Sequence, residues 1–297
     1  MTFFRFFALA PVTLFVLLTV LILANEYTFA RASRRTKDIA YVNADYPDYD
    51  AERHQLDVYA PTDKVVLGRP VVVFIHGGNW NSGRKSLYAF IGRRLAKQGV
   101  VAVVINYRLS PDVEVPEQAD DCARAVRWAA QHISEYGGDP GRIFVMGHSA
   151  GGGLAALLAT DDAYFTKLGL DRNPIKGAIL DDPAGLDMYD YLQKMEYPDD
   201  EKYLIPFGKD PAVWRAVSAL YHVDARTPPM LLFVGERTYP SIARSARKFS
   251  QRLKEVGVKY EFTELPRKKH IAMVTQLFWK KNIIYQDLLR FVAATQR

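Results

Sequence analysis

Ser149 sits in Gly147-His148-Ser149-Ala150-Gly151, and Gly152 and Gly153 follow it. The pattern is G-x-S-x-G. A serine hydroxyl attacks a carbonyl only when a base takes its proton and N–H donors receive the developing charge. The spacing meets the first geometric demand of that chemistry. A sharp strand-to-helix turn that lifts a serine above a sheet leaves no room for side chains at Gly147 and Gly151, since each would collide with a neighbouring strand or helix. The turn also puts the hydroxyl at a helix N-terminus, where negative charge is favoured. A second glycine pair, in His76-Gly77-Gly78-Asn79-Trp80, lets backbone N–H groups approach a substrate closely. Gly77 or Gly78, together with Ala150 just after the serine, are the candidate oxyanion-hole donors. His76 itself is read as a histidine that fixes this loop by hydrogen bonds.

The base is sought among six histidines, His54, His76, His132, His148, His222 and His270. His148 is the serine's neighbour in the motif. His54 and His132 read as surface or packing residues, and His222 as structural, before the Pro228-Pro229 turn. His270 follows the strand pattern Tyr260-Glu261-Phe262-Thr263-Glu264-Leu265 and precedes the C-terminal helix. That late loop is where the base of a Ser…acid…His triad belongs.

These side chains need a scaffold, and the pattern predicts one. Val71-Val72-Val73-Phe74-Ile75 is a continuous apolar run, as expected of a strand buried on both faces. Strands near 71–75, 100–106, 142–146, 176–180, 230–234 and 260–265 alternate with helical patterns near 86–98, 117–136, 150–159 and 241–256. Such alternation implies βαβ units and a parallel sheet. Ile39–Val42 and Gln55–Tyr59 read as opening antiparallel strands. Residues 181–227 interrupt the alternation and are rich in aromatics, among them Tyr191, Tyr197, Tyr203, Phe207 and Trp214. Two readings stand for them: a helical excursion packed on the end of the sheet, or a small cap over a pocket.

The chain resembles the α/β-hydrolase superfamily, in its carboxylesterase branch near hormone-sensitive-lipase-like and formamidase-like enzymes. The resemblance rests on the two glycine motifs, Ile105-Asn106-Tyr107-Arg108-Leu109-Ser110-Pro111, Gly138–Ile143, Pro228–Gly235 and His270. It implies an α/β-hydrolase fold, a mostly parallel central sheet with helices on both faces, and a serine hydrolase that cleaves a small carboxylic ester through an acyl-enzyme. A formamidase-type amide hydrolase and a non-catalytic homologue are the alternatives. The family commonly places its acid three residues after the glycine ending the seventh strand. Here that glycine is Gly235 and the position holds Thr238, which carries no charge. Glu236 is therefore the expected acid, with Asp181, Asp182 and Asp187 after the preceding strand in reserve.

Composition bounds the rest. The 297 residues are 49% apolar and carry a formal net charge of +6. Most of that excess lies in residues 1–37, so no case arises for nucleic acid. Single Cys122 forms no intrachain disulfide and reads as a small buried hydrophobe. Neither a metal nor a cofactor is expected, because no ligand spacing suggests one. Phe6–Ala24 is uncharged and apolar, about the length that spans a bilayer. Residues 1–37 are accordingly expected to be a membrane anchor or signal segment with a basic linker, and 38–297 the hydrolase domain. The anchor would hold the protein on a membrane, and a cleaved signal would export it. Arg31, Arg34, Arg35 and Lys37 favour a cytoplasmic domain by the positive-inside rule, while the resemblance to secreted esterases favours the other side.

Overall fold

A computed structural model describes residues 33–62 and 68–295. Among the described residues eight strands form one sheet: β1 (Ser33–Ala40), β2 (Gln55–Pro61), β3 (Arg69–Ile75), β4 (Val101–Ile105), β5 (Gly138–His148), β6 (Ile175–Asp181), β7 (Met230–Gly235) and β8 (Tyr260–Leu265). Their order is β1-β2-β4-β3-β5-β6-β7-β8. The β1–β2 and β2–β4 pairs are antiparallel, and every pair from β4 to β8 is parallel. The mostly parallel sheet inferred from the alternating pattern is thus present.

The buried strands are apolar on both faces because helices cover both. Val71, Val73 and Ile75 of β3 face α2 (Val115–His132), α3 (Ala150–Thr160) and α6 (Pro240–Glu255). Val72 and Phe74 alternate to the other face and meet α1 (Ala89–Lys97) and α8 (Ile283–Ala294). Between β6 and β7 lie the short helices α4 (Met188–Lys194) and α5 (Pro211–Ala216), and α7 (His270–Thr275) follows β8. Local chemistry sets the ends of these elements. Pro116 occupies the first turn of α2, and Glu114 and Glu117 close a reciprocal capping box. Cys122 is fully buried on α2, in the larger core.

Two readings change. The boundary at 37/38 cuts through a strand, since β1 begins by Ser33 and pairs Ser33 through Thr36 with Pro61 through Val58. Its basic residues looked like a linker because edge strands are commonly charged. Arg35 donates to the buried Asp57 carboxylate at 2.5 and 3.0 Å, and Lys85 reaches the same group at 2.7 Å. The apolar Phe6–Ala24 lies outside the described residues. Among the described residues no helix is long and apolar enough to cross a membrane. Segment 181–227 divides between its two readings: Phe207 and Trp214 are buried in the core, whereas Tyr191, Tyr197 and Tyr203 line a cavity.

Removing Arg35 leaves a buried carboxylate with one cation fewer. Arg35→Ala is expected to lower unfolding stability by about 2 kcal/mol, less than a fully buried pair because Arg35 is partly exposed. Exposed Arg34→Ala should cost under about 0.5 kcal/mol. Denaturant unfolding of both variants checks this, and equal losses would contradict the role given to β1.

Candidate active site

The loops that follow β3, β5, β6, β7 and β8 all leave the carboxyl ends of parallel strands, so they meet at one edge of the sheet. Ser149 stands there between β5 and α3 with φ 56° and ψ −125°, a strained conformation for a non-glycine residue. The flanking glycines are required by contact. A Cβ at Gly147 would sit 2.1 Å from the Gly151 carbonyl oxygen, and one at Gly151 would sit 2.2 Å from the Ile75 oxygen. The Ser149 amide donates to the Asp181 carbonyl at 3.2 Å and its carbonyl accepts from Ala184 at 2.9 Å, which ties the turn to the loop after β6.

Three side chains meet in line. Ser149 Oγ is 2.8 Å from His270 Nε2, and His270 Nδ1 is 2.5 Å from Asp182 Oδ2. Nδ1–H therefore donates to the carboxylate and Nε2 accepts from the serine hydroxyl. Asp182 is fully buried, yet both its oxygens are occupied: the Gly235 amide donates to Oδ1 at 2.8 Å, and the Thr238 hydroxyl donates to Oδ2. His270 opens α7 on a loop held against β7, where the Arg237 amide donates to the Lys268 carbonyl at 2.9 Å.

The expected acid is elsewhere. Glu236 is exposed, its amide donates to the Leu265 carbonyl at 3.0 Å, and its carboxylate accepts from the Arg267 amide. It closes a loop and does not meet His270. The reserve candidate Asp182 takes the place, while Asp187 holds Lys248 at 3.0 Å and Tyr221 at 2.9 Å. Thr238, at the family's acid position, is still used, as a donor to the acid. A homologue without an acid near its histidine is therefore not what the geometry shows.

Asp181, the neighbour of Asp182, is buried with neither carboxylate oxygen hydrogen-bonded. Burial, and then the Asp182 charge, push its pKa well above the ordinary carboxyl range. Two adjacent carboxyls out of water cannot both carry charge cheaply, and Asp181 is the one held neutral. His148 is similar in kind. Burial, and then the nearby His270, lower it to about 4, and its Nε2–H donates to the His270 carbonyl at 3.1 Å. It is a neutral brace for the loop that carries His270, a role the motif did not reveal.

Of the oxyanion candidates, Gly78 lines the cavity beside Ser149 and has φ 135°. Ala150 is the first residue of α3, where a backbone N–H has no intrahelical acceptor. Gly77 lies tight against the serine, since a Cβ there would be 3.1 Å from Ser149 Cβ, and its backbone also faces the Tyr88 hydroxyl. His76 Nδ1–H donates to the Gly77 carbonyl at 2.9 Å, and burial lowers the ring to about 4. It fixes the loop, as its sequence position suggested. The other histidines lie off this line: His54 pairs with buried Asp121 at 3.1 Å, His132 with Glu135, and His222 with the Ala216 carbonyl.

The site opens on a cavity of about 630 Å³. Trp80, Tyr88, Tyr203 and Tyr239 form much of its wall, with Ile271 and Val274 beside His270. The volume suits a small organic ligand, and the lining is mixed, with Asp187, Asp190, Asp200, Lys202, Arg244 and Lys248 beside the aromatic rings.

The BD-FAE family matches residues 56–253. This chain belongs to the BD-FAE family. The BD-FAE chain is 28% identical over 293 residues to isoprenylcysteine alpha-carbonyl methylesterase ICME of Arabidopsis thaliana, covering 91% of this chain and 64% of that protein. It is 30% identical over 225 residues to esterase LipC of Mycobacterium tuberculosis, covering 72% of this chain and 56% of that one. The chain thus spans only 56–64% of the length of these two relatives. Among solved structures it is similar to Thermogutta terrifontis esterase 2 phosphonylated by sarin, at 26% identity and TM-score 0.66, covering 85% of this chain and 91% of that one. Esterase B from Lactobacillus rhamnosis shares the fold at 21% identity and TM-score 0.73, covering 97% of this chain and 94% of that one.

Two outcomes follow from this geometry. Asp182→Asn is expected to lower kcat on the order of 10⁴-fold, the scale seen when a serine protease loses its orienting carboxylate, while Glu236→Gln stays within a few-fold. Steady-state kinetics separate them, and the reverse ranking would return the acid to Glu236. The second concerns pH. Because the folded pKa of Asp181 is raised, the native state keeps a proton that the unfolded state gives up above its ordinary value near 3.8. Asp181 therefore costs stability progressively as pH rises. Asp181→Asn should gain stability relative to wild type on going from pH 4.5 to pH 8, and a gain independent of pH would contradict a buried neutral acid.

Proposed function

We propose that the protein is a serine hydrolase that cleaves a carboxylic ester through an acyl-enzyme. The observation that carries this reading is the hydrogen-bonded line Ser149–His270–Asp182 at the mouth of the aromatic cavity. Ser149 Oγ attacks the ester carbonyl while His270 Nε2 takes its proton. Asp182 balances the imidazolium that forms and holds Nδ1 protonated. The Gly78 and Ala150 amides, with Gly77 beside them, receive the oxyanion. His270 then gives the proton to the departing alcohol. Water, activated by the same histidine, releases the acid from Ser149.

Relatives named as esterases and methylesterases support ester rather than amide hydrolysis. The cavity supports a small acyl ester with apolar or aromatic parts.

A fluorophosphonate should label the wild-type chain at one serine. Ser149→Ala should abolish labelling and hydrolysis of short p-nitrophenyl esters while keeping the unfolding transition. Labelling of Ser149→Ala at another serine would overturn the assignment.

A further inference from the structure

Two basic stretches of the chain contain no acids of their own, although Asp38 and Asp57 reach Lys85 and the Glu236 carboxylate reaches the Arg267 amide. Residues 84–97 and 266–286 contain neither Asp nor Glu, yet together they hold ten of the chain's 39 Lys and Arg. The fold joins the two stretches. The Phe90 and Phe278 rings lie 6.0 Å apart, and the Arg94 guanidinium donates twice to the Phe278 carbonyl, at 2.6 and 3.0 Å. Among the described residues Lys269, Lys280 and Lys281 are exposed, and no carboxylate pairs with them.

The same two stretches expose four large apolar side chains: Leu87 at 58%, Ile271 at 61%, Trp279 at 62% and Ile283 at 38% of their accessible surface. Ile271 follows His270 and lines the mouth of the cavity. Trp279 lies between the Phe278 ring, 5.3 Å away, and Lys280-Lys281. Water opposes both features, since exposed apolar groups are poorly hydrated and clustered cations repel one another. A polyanion such as a nucleic acid would satisfy the cations but leave Leu87, Ile271 and Trp279 in water. An anionic bilayer satisfies both. Its headgroups attract lysines, its interface favours tryptophan, and its outer acyl region accepts aliphatic side chains.

We propose that this face docks on an anionic lipid surface, with Trp279 and Ile271 entering the interface and Lys269, Lys280 and Lys281 meeting headgroups. The mouth beside Ile271 then opens onto the bilayer. The proposal rests on the esterase reading only for what passes through that mouth; docking itself does not require catalysis.

Docking can be read from tryptophan emission. Trp80 and Trp214 are buried, Trp128 is partly buried and Trp279 is exposed, so lipid-borne quenchers report chiefly on Trp279. The full chain would be mixed with vesicles of brominated phosphatidylcholine, alone or with phosphatidylglycerol. Any contribution of the apolar N-terminal segment is shared by both. Quenching should appear with phosphatidylglycerol, fall strongly in 0.5 M salt, and vanish in Trp279→Phe. Lys280→Gln/Lys281→Gln should weaken vesicle binding by roughly tenfold or more, with hydrolysis of a soluble p-nitrophenyl ester unchanged. Equal quenching in both vesicle types, or binding unaffected by the lysine changes, would overturn the proposal. If a soluble polyphosphate binds as tightly as the vesicles, the face is a polyanion site and the proposal also fails. Loss of ester hydrolysis in every form with docking intact would count against the esterase reading alone.

Discussion

The Asp182 carboxylate is the point on which the site depends. It is fully buried, and an unpaired charge there would be very unfavourable. Three donors from two other segments make the charge tolerable: the Gly235 amide and Thr238 hydroxyl from the end of β7, and His270 from the loop after β8. The same bonds that stabilise the anion fix the ring that must face Ser149. Charge burial and catalytic alignment are therefore one constraint, and neighbouring Asp181 meets it by remaining neutral.

The sheet makes such a cluster attainable. Parallel strands deliver every βα loop to one edge, so residues far apart in sequence arrive together without long connections. Some of the backbone strain lies at the site. Ser149 and Asp182 both have positive φ, and the close approach at Gly147 and Gly151 keeps the serine turn from relaxing. His148 and His76 are both buried and both lowered to about 4, and each holds a loop by a hydrogen bond to a backbone carbonyl. The site is thus framed by histidines kept neutral by burial.

Much of this was legible in the residues. The apolar run of β3 and the alternation of strands and helices gave the parallel sheet, because buried strands must be apolar on both faces. Gly147 and Gly151 were legible because sterics leave no alternative at a sharp elbow. His270 could be located by its place after the last strand. The acid could not, because its position follows from which strand lies next to which, and sequence spacing does not record that. Thr238 occupies the family's position, but the carboxylate comes from the loop after the adjacent strand β6. The Asp181-Asp182 pair closing an apolar strand was the available signal: two acids next to a buried run need partners. The strand β1 was missed at its start because an edge strand tolerates charges, and Ser33–Lys37 reads as a linker until its pairing with β2 is seen.

The arrangement turns on the His270 Nδ1–H donating to Asp182. Proton NMR of the ¹⁵N-histidine-labelled protein reads this bond, since a strongly hydrogen-bonded imidazole N–H resonates far downfield and couples to its nitrogen. This resonance is expected in wild type and in Glu236→Gln, absent in His270→Ala, and displaced or lost in Asp182→Asn. An unchanged resonance in Asp182→Asn, or its loss in Glu236→Gln, would contradict the arrangement.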